Sequence, residues 1–192
     1  MDKIKILSKE ILSDNWYTLN KINFQATQKD GTVLELSREA YDRGNGATIL
    51  LYNTDAKTVI LTRQFRMPTY LNGNQSGLLI ECCAGLLDKN NPEDCIRRET
   101  EEETGYQVTD VKKVMEAYMS PGSVTEILYF FVAQYDQNMK VGKGGGLDEE
   151  HENIEVLELP FTSALQMVHT GEIRDAKTIM LLQYAQINNL LA

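Results

Sequence analysis

"GLLDKNNPEDCIRRETEEETGY", residues 85–106, decides how the rest of the chain is read. Asn91 is a good helix N-cap, Pro92 suits the first helical position, and Glu93 and Asp94 face the positive end of a helix dipole. Gly105 supplies the usual stop, so the segment predicts a helix over 92–104. Four glutamates, at 99 and 101–103, crowd its last turns, where the dipole is negative. Glu99, Glu102 and Glu103 stand at i, i+3 and i+4 and share a face. Each like-charged pair costs about 0.2–0.5 kcal/mol, and each charge at the wrong end of the dipole about 0.3–1 kcal/mol at low salt. An ordinary solvated face tolerates penalties of that size, with Arg97 and Arg98 offsetting part of them. A hard divalent cation would reverse them, because carboxylate oxygens match Mg2+.

The chain's 192 residues can bury a substantial core, which predicts one domain of ordinary size with a small appendage. With 42% hydrophobic and 24% charged residues it is neither disordered nor fibrous in composition. A net charge of -9 disfavours nonspecific binding to nucleic acid or anionic lipid, so a small anionic ligand needs local cations. The opening "MDKIKILSKEILSDNWYTL" lacks a signal-peptide stretch and no later run reaches membrane-spanning length, so cytoplasmic residence is the expectation. Cys82, Cys83 and Cys95 lack Cys-x-x-Cys spacing and are read as small buried residues. His151 and His169 form no His-Glu-x-x-His arrangement, and no Gly-x-Ser-x-Gly occurs. Gly144 after Lys143 denies "GKGGG" the hydroxyl residue of a Walker loop.

Outward from the helix, "NWYTLNKINFQATQ" and "TVLELSREA", joined by a "KDG" turn, predict a β-rich subdomain over 1–43. "RGNG" is a hinge, and the main domain, 44–192, starts with two buried strands, "ATILLYN" and "KTVILTRQFR". "SGLLIECCAG" reads as one more apolar strand ending in Gly85. "VKKVMEAYMS" and "TEILYFFVAQY" flank a Pro-Gly break, and "VGKGGGLDEEHEN", residues 141–153, reads as a mobile exposed loop. A strand, "IEVLELPF", and two helices, near "TSALQMV" and "DAKTIMLLQYAQINNLL", complete the chain.

Residues 85–106 resemble the box of the Nudix hydrolases, whose pattern runs Gly, five residues, Glu, seven residues, then Arg-Glu-apolar-x-Glu-Glu-x-Gly-apolar. Arg98 through Tyr106 align with its second half. The spacing from Gly85 to Arg98 is one residue short, Asn91 replaces the first glutamate, and Thr100 is less apolar than usual. The capping role of Asn91 stands in for the ordering role of that glutamate. Pro121 resembles the marker of the ADP-ribose and nucleotide-sugar branch. "DRGNGATILLYN", "RQFR", "LIECCAGLLD", "YMSPGSVTE" and "GEIRDAKT" resemble the GDP-mannose pyrophosphatase subgroup over nearly the whole chain.

The resemblance implies an α/β fold, a Nudix α/β/α sandwich with a mixed β-sheet and a small N-terminal antiparallel β subdomain. It implies Mg2+-dependent hydrolysis of GDP-mannose to GMP and mannose 1-phosphate. The alternatives are another nucleotide-sugar or ADP-ribose pyrophosphatase, or a silent Nudix domain that senses nucleotide sugars. Glu99, Glu103, Glu152 and the Ala84 carbonyl would hold metal, Glu102 would bind or orient metal-held water, and Arg98 would brace the carboxylates. Glu152 is also the candidate base, with Glu149 and Glu150 as competitors for the assignment. Arg66, Lys177 and Arg38 would meet the substrate's negative charge, Glu39 and Glu126 its hydroxyls or base edge, and Trp16 or Tyr17 would stack on the base. Gly85, Leu86 and His151 complete the implied substrate contacts. Relatives in this branch form homodimers in which both chains build the nucleotide pocket, so a homodimer is expected, with neither nucleic acid nor membrane as partner.

Overall fold

Three long strands open the chain: β1 (Ile4–Asp14), β2 (Thr18–Thr27) and β3 (Val33–Asp42). They form an antiparallel sheet in the order β1-β2-β3, with register irregularities in β1 between Ile6 and Ser8 and between Ile11 and Ser13. The computed structural model describes residues 3–87, 91–147, 149 and 152–191. Two compact units are present, Met1–Asn45 with Tyr118–Ile127, and Gly46–Ala117 with Leu128–Ala192. The later segment joins the first unit through backbone bonds: Tyr41 N–H donates to Ser123 O at 2.8 Å and Thr125 N–H to Tyr41 O at 3.1 Å.

The second unit holds a mixed sheet built from β4 (Gly46–Asn53), β5 (Thr58–Phe65), β6 (Leu78–Glu81), β7 (Cys83–Leu86), β8 (Lys112–Tyr118), β9 (Ile127–Gln134) and β10 (Glu155–Pro160). Its main path runs β10-β5-β4-β9-β8, with β4 and β9 parallel. The helices are α1 (Met67–Leu71), α2 (Pro92–Thr104), α3 (Phe161–Thr170) and α4 (Ala176–Ile187). β4 reads as a continuous apolar run because both of its faces are covered. Ala47, Ile49 and Leu51 pack with Ile96 of α2, while the intervening Thr48 and Leu50 are equally buried on the other face and α4 also packs on this strand. This is the α/β/α sandwich with a mixed sheet that the sequence implies.

The single strand expected over 76–85 is two short strands. β4 and β5 pair only over Leu51–Asn53 and Thr58–Ile60. Residues 78–86 occupy the gap where these strands diverge, pairing first with β5, Glu81 against Thr62, and then with β4, Cys83 against Ile49. Cys82 is the switch point, and its N–H donates to Thr178 Oγ1 of α4 at 2.6 Å. The helix α1, unforeseen in the sequence, follows Arg66 and carries Pro68 in its first turn.

Candidate active site

α2 forms where its local chemistry dictates. Asn91 Oδ1 accepts from the N–H groups of Glu93 and Asp94, each at 2.9 Å, and Gly105 closes the helix at φ +78°. Ile96, Thr100 and Glu103 fall at i, i+4 and i+7 on the stripe that faces the sheet, so Glu103 is carried inward and is 3% exposed. Glu99 and Glu102 remain at the rim, where Arg98 donates to Glu99 Oε1 at 2.9 Å and to Glu102 Oε2 at 3.2 Å. On β7, Gly85 lies so close to Glu99 that a side-chain carbon there would overlap its carboxylate, and Ala84 and Leu86 flank it in the strand.

Burial drives the Glu103 carboxyl up to about 8. A hydrogen bond from the Cys83 thiol opposes the shift, the charges of Glu99 and Glu152 reinforce it, and Arg66 weakly opposes it. One carboxylate oxygen, Oε2, is buried with no hydrogen-bond partner among the described residues. A carboxylate oxygen left so is costly unless something else meets it. No three acidic side chains among the described residues converge as a closed cage. Arg98 occupies Glu99 and Glu102, and Leu147 N–H donates to Glu152 Oε2 at 3.1 Å. The donor set suits a hard cation, since every candidate ligand is an oxygen and the orphaned one sits at the buried end of the group.

The glycine loop is exposed at residues 141–143 and at Leu147, and its backbone is bonded to the end of the helix. Val141 and Gly142 N–H groups donate to Gly105 O at 2.9 and 3.1 Å, Gly145 N–H to Glu103 O at 2.9 Å, and Gly146 N–H to Glu102 O at 3.1 Å. The loop thus caps the carbonyls that α2 leaves open. Gly146 packs against the Glu152 carboxylate, so the same loop sets Glu152 beside the helix. Glu149 is exposed, while Glu150 and His151 lie outside the described residues.

Arg66 and Lys177 meet on a residue that the sequence reading passed over. Glu81, 3% exposed at the end of β6, accepts from Arg66 Nε at 2.7 Å and from Lys177 Nζ at 2.5 Å. Lys177 also donates to Asp175 Oδ1 at 2.9 Å. Burial works to lower the Lys177 pKa, but Glu81 and then Asp175 outweigh it and hold the ammonium above its ordinary value. The signal in the sequence was a lone glutamate inside the apolar run "LLIECCAG".

The remaining candidates belong to the N-terminal unit. Trp16 is 85% exposed and meets the Tyr17 ring edge-on at 6.3 Å between centroids. Tyr17 packs on Tyr41 and beneath the Arg43 guanidinium, whose Nε lies 3.7 Å from Glu126. Arg38 and Glu39 are consecutive on β3 and so point to opposite faces of their sheet.

Residues 3–41 match the family described as the GDP-mannose pyrophosphatase NudK N-terminal domain, and residues 42–182 match the NUDIX domain. The chain is 58% identical over 189 residues to a GDP-mannose pyrophosphatase of Escherichia coli strain K12, covering 98% of each chain. It is 57% identical, over the same length and coverage, to GDP-mannose pyrophosphatases of Shigella dysenteriae serotype 1 and Escherichia coli O157:H7. With the helix, its carboxylates and the glycine at Gly85 all lying inside the longer of the two matched regions, the chain belongs to the Nudix family.

Proposed function

We propose that the protein hydrolyses the diphosphate bond of GDP-mannose, releasing GMP and mannose 1-phosphate, with Mg2+ as its cofactor. The observation that carries this reading is the likeness, over 98% of the chain, to proteins named GDP-mannose pyrophosphatase. The orphaned oxygen of Glu103, beside Glu99 and a glycine strand that leaves room for its carboxylate, supports the metal.

In this reading Glu99, Glu103 and the Ala84 carbonyl hold the ion, and Glu152 joins them. A divalent cation held there neutralises diphosphate charge and makes bound water more acidic. Glu152 accepts the proton of the attacking water, Glu102 orients that water, and Arg98 keeps the rim carboxylates in place. Arg66 and Lys177 bind the phosphate oxygens, which the net charge of -9 would otherwise repel. Gly85, Leu86 and His151 line the substrate.

Residues 1–43 serve as a dimerisation and substrate-binding subdomain, and 44–192 as the hydrolase. Exposed Ile4, Ile6, Ile11 and Val33 on the first sheet support a homodimer interface. Trp16, Tyr17, Arg38, Glu39 and Glu126 then hold the guanosine and sugar. Buried Cys82, Cys83 and Cys95, none of them in a disulfide, suit a reducing cytoplasm.

The test is a side-by-side assay of purified protein on GDP-mannose and ADP-ribose, with and without Mg2+. Mg2+-dependent release of GMP, with kcat/KM highest on GDP-mannose, is expected. Faster turnover of ADP-ribose would replace the substrate, and binding without turnover would replace the enzyme by a sensor.

A further inference from the structure

Arg66 sits at the corner between β5 and α1 and Lys177 in the first turn of α4, yet each takes one oxygen of the same buried carboxylate. Arg66 Nε uses Glu81 Oε2 at 2.7 Å, and Lys177 Nζ uses Glu81 Oε1 at 2.5 Å. Among the described residues Arg66 spends only its Nε, which leaves both terminal nitrogens of the guanidinium to meet an anion. The surrounding bonds hold the backbone beside Glu81 and the second partner of Lys177. Cys82 N–H, next in the chain, donates to Thr178 Oγ1, which donates to Asp175 Oδ2 at 2.6 Å, and Asp175 is the second acceptor of Lys177.

We infer that Glu81 is a positioning residue for the substrate's diphosphate, holding Arg66 and Lys177 as one preformed pair of cations. This rests on the function proposed above. Two effects compete. Glu81 cancels part of the cationic charge, so Coulomb attraction alone would let its removal tighten anion binding. Preorganisation works the other way. A glutamine there offers one oxygen, which serves one cation, and an NH2 group, which confronts the other. The two cations then repel each other, and Arg66, its side chain 39% exposed against 13% for Lys177, is the one free to swing away. Lost geometry outweighs gained charge because the outer cation faces solvent, where Coulomb energies are small and the entropy of refixing a long side chain is not.

The experiment compares wild type, Glu81→Gln, Arg66→Ala and the double variant. Calorimetric affinity for inorganic pyrophosphate without Mg2+ is measured beside KM and kcat on GDP-mannose. Glu81→Gln is expected to weaken pyrophosphate binding and raise KM by about tenfold or more, with a smaller change in kcat. On the Arg66→Ala background the same substitution is expected to add less than about twofold, since the residue through which it acts is gone. Unchanged or tighter pyrophosphate binding, or effects that multiply in the double variant, would overturn the inference. If Glu81→Gln does not fold, Glu81→Met with Lys177→Met removes both buried charges together. That pair is expected to bind pyrophosphate at least about fivefold more weakly than Lys177→Met alone, and equal affinities would overturn the inference too. A wild type that binds pyrophosphate but leaves GDP-mannose intact would remove the proposed function while leaving the Glu81 comparison standing.

Discussion

A side-chain carbon on Gly144 would stand 2.5 Å from the carbonyl oxygen of Glu103, so the glycine loop lies backbone against backbone on the helix that carries the candidate ligands. Gly144 also has φ +68°, which costs other residues about 1–2 kcal/mol. Gly144→Ala is therefore expected to undock the loop, destabilise the protein by about 2 kcal/mol and lower activity by at least about tenfold. Gly122→Ala is the control, because nothing lies within 4 Å of its missing side chain. Urea unfolding and GMP release on both variants check this. Equal behaviour of the two would show that the docking has no consequence.

Glu103→Gln separates fold from chemistry. The amide fills the same volume and stays neutral at every pH, so the metal-free variant should unfold above the wild-type temperature once pH exceeds about 8, where the buried carboxyl ionises. Activity should fall by about two orders of magnitude or more, because the group left to meet a cation is no longer charged. The rise in melting temperature that Mg2+ gives wild type should also disappear. A variant that keeps both activity and the Mg2+ response would show that Glu103 is not a ligand.

The capped ends of α2 were legible because Asn91, Pro92 and Gly105 act within one turn of themselves. The acidic face was legible by spacing, but its division was not. Helical periodicity groups Glu99, Glu102 and Glu103 together, and only the packing of Ile96 and Thr100 against the sheet decides that Glu103 goes inside. The break at Cys82 was hidden for a similar reason, since its cause lies in the divergence of β4 from β5 and in a hydroxyl on α4. Glycines and acidic residues together made residues 141–153 read as a mobile exposed loop. Where its backbone bonds was not legible, because the partners are the carbonyls at the end of α2, which glycines can approach closely.

The Glu103 carboxyl also sets a pH dependence. Burial raises it from 4.5 to about 8 in the metal-free protein. Between those values the folded protein keeps a proton that the unfolded chain has released, so stability falls as pH rises across that interval. Below 4.5 both states are protonated and the full stability is present; above about 8 the loss is complete. A cation competes with that proton. Mg2+ affinity should therefore tighten from pH 6 to 8 and binding should release protons. Calorimetry in two buffers of different ionisation enthalpy measures the release, which should vanish in Glu103→Gln. Binding with no proton release at pH 6.5 would contradict the shift.

Thr178 joins the strand switch to α4, and its hydroxyl is used twice. It accepts from Cys82 N–H at 2.6 Å and donates to Asp175 Oδ2 at 2.6 Å, with the residue fully buried. Thr178→Val keeps the shape and removes both bonds. The backbone cap survives, since Asp175 Oδ2 still accepts from the residue 178 N–H at 3.0 Å, so the helix start is not the main loss. What remains is a buried Cys82 N–H without an acceptor, which costs about 1–3 kcal/mol. Thr178→Ser keeps the hydroxyl and loses only a methyl, which costs about 1 kcal/mol. Chemical denaturation should therefore rank valine below serine even though valine fills the space better. The reverse order would mean that packing, and not the hydrogen bond at the switch, holds β6, β7 and α4 together.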